Sequence, residues 1–129
     1  MRNLKRPPVE LQTLFNQEWK RAKKLCKPFF DEIVKPRLYV AKTLQRNWLG
    51  YHSGRNGQTL HKINGKWLKG DIIVIKESHA LTPPTMVFNH TLLNTIRHEI
   101  CHVKHHNHKI GFHTMLRGLQ EKTTPLEVV

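Results

Sequence analysis

"IRHEICHVKHHNHKIGFHTML", residues 96–116, holds six of the ten histidines in this 129-residue chain and a glutamate between two of them. How these residues fall on a helix decides both the second half of the fold and the chemistry open to the chain. His98 and His102 are four apart, so on an α-helix they stand one turn above each other with Cβ atoms about 5–6 Å apart. Two imidazoles so placed can reach one ion at a Zn–N distance of about 2.0 Å. Glu99 is rotated off that face. It cannot complete a tetrahedron, but it can touch water in an open fourth position. The arrangement is H-E-x-x-H, two ligands and a general base.

A third ligand has to come from further along. His105 and His106 continue the helical face, yet they lie about 10–12 Å up the axis from His98 and share its ion only where the helix has unwound. His108 follows Asn107, which tolerates the left-handed conformation of a helix stop, and a turn there swings His108 back. His113 is the remaining alternative. The expected set is therefore His98, His102 and His108 around one Zn2+, with Glu99 as the catalytic residue. Three histidines and a water leave the site open, as a catalytic rather than a structural ion requires. A fourth histidine would close it and leave a His-rich nucleic-acid-binding module with structural zinc.

Outward from this stretch, Leu92, Leu93, Ile96, Ile100 and Val103 form an apolar stripe that makes 89–107 a long helix, with Asn89 or Thr91 as its cap. "LTPPT" (81–85) breaks the chain before it. Gly111 and a change of pattern open a short last helix, "FHTMLRGL", and residues 119–129 read as a frayed tail. Near the start, Val9, Leu11, Leu14, Phe15, Trp19, Ala22, Leu25, Cys26 and Phe29 recur at helical steps over 9–30, and Pro28 ends the regular part near Cys26. Its other face carries Lys20, Arg21, Lys23, Lys24 and Lys27. That face is either simply solvated or turned toward nucleic acid.

Between the helices the period changes. "RLYVA" (37–41), "NWLGYHS" (47–53), "TLHKI" (59–63), "KWLKG" (66–70) and "DIIVIKES" (71–78) read as short strands, with "GRNG" (54–57) as a loop. Asn64-Gly65 between two alternating segments signals a hairpin. Trp48, Tyr51 and Trp67 fall in this region; packing is their commoner role, stacking on unpaired bases the other. The order helix, short antiparallel sheet, histidine helix, short helix predicts a single α+β domain over 1–129.

The formal charge is +13, from 22 Lys and Arg against 9 Asp and Glu. Such a field attracts phosphate polyanions and makes association salt-sensitive, so nucleic acid is an expected partner. No apolar run approaches the roughly 20 residues of a membrane span. "MRNLKRPPVE" lacks the apolar segment of a signal peptide. Cys26 and Cys101 read as reduced thiols, which fits a cytoplasmic compartment. A monomer is expected.

"HEICHVKHHNHKIGF" (98–112) resembles the motif of the YgjP-like metallopeptidases, H-E-L-x-H-L-x-H-x-N-H-S-x-x-F/W. His98, Glu99, His102, His105, Asn107, His108 and Phe112 take the matching positions, and Lys109 departs from the usual small residue. The order of elements is similar to the SprT-like (Spartan-type) proteases, whose His-x-x-x-Phe/Trp element would here be His108 to Phe112. These resemblances imply a zincin-like α+β fold and zinc-dependent cleavage of a protein or peptide substrate. His98, His102 and His108 would be the ligands and Glu99 the catalytic residue. The SprT-like resemblance further implies action on proteins bound or crosslinked to DNA. The bacterial rRNA-maturation endoribonucleases share the spacing His-x-x-x-His-x-x-x-x-x-His on a basic domain. They lack the glutamate, so Glu99 speaks for the peptidase. Zincins usually hold the substrate as an added strand, here along "DIIVIKES" or "NWLGYHS". Tyr51, His52 and His113 are the candidates for steadying an oxyanion.

Overall fold

The structure, a computed structural model, describes residues 4–45, 48–55, 57–80 and 88–121. Strand β1 (Leu4–Lys5) precedes helix α1 (Val9–Leu25) and a 3-10 turn at Phe29–Glu32. Strands β2 (Arg37–Ala41), β3 (Gly50–Ser53), β4 (Leu60–Ile63), β5 (Lys66–Lys69) and β6 (Ile72–Lys76) follow. Helices α2 (Glu77–Ala80), α3 (Phe88–Lys104) and α4 (Ile110–Glu121) complete the order. The class is α+β, as the pattern of periods implies.

The sheet is mixed rather than wholly antiparallel. Its order is β1-β2-β6-β3, with β2 parallel to β6 and the outer pairs antiparallel, while β4 and β5 pair only with each other. The physical reason lies in β6. Its Ile72, Ile73, Val74 and Ile75 are all fully buried, a continuous apolar run that demands cover on both faces and neighbours on both edges. Gly70, at φ 128°, turns the chain out of the hairpin so that β6 enters the main sheet instead of pairing with β5.

Two apolar layers result. Leu38, Val40, Ile73 and Ile75 face the helices and pack with Phe15, Trp19, Phe30, Ile96, Ile100 and Phe112. Ile72 and Val74 face the other way and pack with Leu4, Ala41 and Ile63 beneath the hairpin. The stripe of α1 is as expected through Leu11, Phe15, Trp19 and Ala22, but Val9 and Leu25 are exposed. α3 is helical from Phe88, so Asn89 and Thr91 lie inside it. The expected break at 81–85 lies outside the described residues. At the other end, α4 runs to Glu121 and Leu119 is fully buried, so the frayed tail does not start at residue 119.

Glu18 is buried on the apolar side of α1 and carries a charge into the core. Its Oε1 accepts from Arg97 Nε at 2.8 Å and from Arg21 Nη1 at 2.7 Å, and Arg21 Nη2 donates to the Leu119 carbonyl. The cluster clasps α1, α3 and α4. It also commits Arg21, which had been grouped with the cationic face of α1, to an internal contact. Periodicity counts Glu and Arg as surface residues, so it could not see this pairing. Glu18→Gln leaves two guanidinium groups without their shared anion. We expect a loss of about 3 kcal/mol, read as a thermal midpoint lowered by roughly 10 °C. Glu18→Leu with Arg97→Met should recover most of it. A Glu18→Gln protein that melts with wild type would show the clasp to be dispensable.

Candidate metal centre

α3 is helical through His98 and His102, and Val103 and Ile100 anchor its apolar face in the core, so both imidazoles leave the opposite side together. The helix stops at Lys104, and a turn precedes Ile110. His108 sits in that turn, where the Lys109 N–H donates to Asn107 Oδ1 at 3.2 Å. The three Nε2 atoms converge: 3.1 Å between His98 and His102, 3.2 Å between His98 and His108, and 3.0 Å between His102 and His108. Nitrogens around a tetrahedral ion at about 2.0–2.1 Å stand about 3.3–3.4 Å apart, so the triangle fits one metal within a few tenths of an ångström. These are converging lone pairs, not mutual hydrogen bonds, because three imidazole nitrogens cannot all donate to one another.

The surroundings hold that geometry. His102 Nδ1–H donates to the His105 carbonyl at 3.0 Å, which leaves Nε2 unprotonated and aimed at the centre. Phe112, buried on α4, forms the floor, with its ring centroid 4.7–4.8 Å from each of the three imidazoles. Burial lowers His98 to about 4, helped by the charges of His102, His108 and His113. Burial lowers His102 too. Near neutral pH both rings are therefore in the neutral form that a metal needs. The three residues together could hold one metal ion.

The other histidines are elsewhere. The His105 ring lies against Gly111, where a Cβ would come within 2.7 Å of its Cε1, so it packs on α4 and supplies only its carbonyl to the centre. His106 is exposed and stacks over His52 at 6.2 Å. His113 stands edge-on to Phe112 at 5.5 Å, outside the triangle.

Glu99 lies next to His98 in the same cleft, of about 680 Å³, and is only 4% exposed. Burial pushes its carboxyl up to about 8. A divalent ion beside it favours the ionised form and works against that shift. Cys101, two residues on, faces the core, and burial raises its thiol to about 12; it and Cys26 are both free thiols. Tyr51 and His52 line the cleft opposite α3. Gly50 is what lets the two walls meet, since a Cβ there would stand 3.1 Å from the Thr95 methyl of α3.

One polar group escaped the sequence reading altogether. Asp71 is 1% exposed, and its carboxylate accepts from His52 Nε2 at 2.8 Å and from the Gly57 N–H at 2.9 Å. Gly54, at φ 125°, leaves no room for a side chain over it. The only available hint was an acidic residue just ahead of an apolar run. The partner 19 positions away in sequence carries no signal of its own.

No protein-family model, no curated protein and no solved structure matches the chain. The metal-site geometry predicts stoichiometry. His98→Ala, His102→Ala and His108→Ala should each abolish one equivalent of bound metal by elemental analysis, and should lose the stabilisation that metal binding couples to folding. His105→Ala and His106→Ala should keep it, because neither ring reaches the triangle. Metal retained in His108→Ala but lost in His113→Ala would displace the third ligand.

Proposed function

We propose that this chain is a zinc-dependent hydrolase of peptide bonds. The observation that carries the reading is the placement of Glu99, buried in one cleft beside three converging imidazole nitrogens. Zinc held by His98, His102 and His108 would supply a Lewis acid that polarises a carbonyl and acidifies water. Glu99 accepts a proton at its carboxylate and returns it to the leaving amine. Its place beside the ligand pair, off their face of the helix, suits that task and not ligation.

The sheet supports an extended substrate. β6 has neighbours on both sides; β3, like β1, is at an edge of the sheet among the described residues. The Lys76 N–H bonds the Leu49 carbonyl at 2.9 Å. By antiparallel alternation, Leu49, Tyr51 and Ser53 bond inward to β6, and the N–H and C=O groups of Gly50 and His52 point outward. A peptide added there runs past the cleft with its backbone groups satisfied. His52 lines the cleft, but its Nε2 is already committed to Asp71 at 2.8 Å. Tyr51 packs partly toward the hairpin layer, and His113 does not line the cleft.

Glu99→Gln tests the assignment. Zinc should stay at one equivalent while cleavage of an unfolded protein such as casein falls at least ~100-fold, the scale of a general base. Unchanged proteolysis would remove Glu99 from the chemistry. Metal-dependent cleavage of RNA that persists in Glu99→Gln, with no proteolysis by wild type, would move the chain to the endoribonuclease-like class.

A further inference from the structure

The stretch from Ile33 to Gly70 contains eight of the chain's 22 Lys and Arg and none of its nine Asp and Glu. It folds into β2, β3 and the β4–β5 hairpin, so a surface of one sign is gathered on one part of the molecule. The hairpin is its most exposed element. Leu60 pairs with Lys69 and Lys62 with Trp67, and residues directly opposite share a face. The inward face carries Ile63 and Leu68 to the lower apolar layer. The outward face therefore carries Leu60, Lys62, Trp67 and Lys69 together.

Among the described residues nothing packs over that face: Trp67 is 65% and Leu60 60% exposed. Yet it is not a loose flap. Asn64 at φ 50° and Gly65 at φ 87° make the tight turn, and Asn64 Nδ2 donates to the Leu4 carbonyl at 2.9 Å, pinning the tip to β1. At the open end the Gly70 N–H bonds the Thr59 carbonyl at 2.9 Å. Buried His61 bridges the Gly70 carbonyl at 2.9 Å and Ser53 Oγ at 3.1 Å. The indole is thus presented on a rigid support with an ammonium directly across the strands and a second one along the face.

We propose that the outward face of the β4–β5 hairpin binds an unpaired nucleic-acid strand, with a base stacked on Trp67 and phosphates met by Lys62 and Lys69. An aromatic ring recognises any unpaired base by its π face, and lysines follow the backbone. Every ionisable side chain of the hairpin is cationic or a histidine, so the complementary partner is a polyanion. The indole gives an unpaired strand a contact that a duplex, whose bases are stacked internally, does not offer. The face of α1 lacks this combination. Glu10 interrupts its charge, Arg21 is turned inward to the buried Glu18, and its exposed large apolar residues are the aliphatic Val9 and Leu25.

The experiment titrates a fluorescein-labelled deoxythymidine oligomer of about 15 nucleotides, a length that spans typical site sizes, against the full chain. Trp67→Ala should weaken binding about 5- to 150-fold, and Trp67→Phe should retain most of it. Lys62→Gln with Lys69→Gln should make the log–log salt slope shallower by about 1.4, two contacts at ~0.7 each on a single strand. Lys20→Gln with Lys23→Gln and Lys24→Gln should leave that slope unchanged. All variants are at exposed positions except Lys23, which is half-buried, and circular dichroism checks their fold. The proposal is overturned if Trp67→Ala binds as wild type does, or if the α1 variant takes the slope instead. Duplex DNA or heparin competing as well as the oligomer would also overturn it, by showing charge without stacking. So would poly-glutamate binding, or self-association, that depends on Trp67 when the oligomer does not bind.

Discussion

Three imidazole nitrogens directed at one point repel each other unless a cation or a proton lies among them, and this constraint organises one side of the molecule. Helical spacing brings His98 and His102 together at no cost in tertiary structure. Bringing in His108 is harder, because the chain has to leave the helix after Lys104 and return within a few residues. The fold secures that return from beneath and from beside it. Phe112 fills the space under all three rings, Gly111 lets α4 close against the His105 ring, and the His105 carbonyl fixes the proton on the far side of His102. His105, which does not reach the centre, is thus part of how it is built.

Buried charge is used twice, for different ends. Glu18 with Arg97 joins α1 to α3, and Arg21, on α1 beside Glu18, reaches the Leu119 carbonyl of α4. Such a cluster costs desolvation and repays it only through geometry, so it specifies an arrangement more than it stabilises one. Asp71 with His52 joins the start of β6 to β3 beside the metal cleft. There the same physics fixes the orientation and tautomer of one imidazole on the wall that faces Glu99. A carboxylate held this way steadies its histidine partner.

The parallel placement of β2 beside β6 has consequences at both edges of the sheet. It encloses the most apolar strand and leaves β3 at an edge of the sheet, directly against α3. Gly50 permits that approach, so the edge available to an extended chain and the helix carrying the histidines border the same cleft. It also displaces the hairpin onto the far face, where it covers the second apolar layer with Ile63 and Leu68 and turns Trp67 and its lysines to solvent. Two surfaces of different character then lie on one small sheet.

The sequence by itself was enough for the local matters. Spacing of four put His98 and His102 on one helix face and Glu99 off it; a turn after the helix pointed to His108, although the helix ends at Lys104 and not, as expected, at Asn107; Asn64-Gly65 marked the hairpin; apolar steps marked α1, α3 and α4. Each rests on helix or strand geometry over a few residues, where position in the chain and position in space are tied. Tertiary structure alone decided that β6 lies inside the sheet and β3 at its edge, that Arg21 turns to Glu18 and Leu119 while Trp67 stays in solvent, and that Asp71 meets His52. Those outcomes depend on which distant segments share a layer. Burial and long-range pairing set that choice, and a single sequence does not print it as a period.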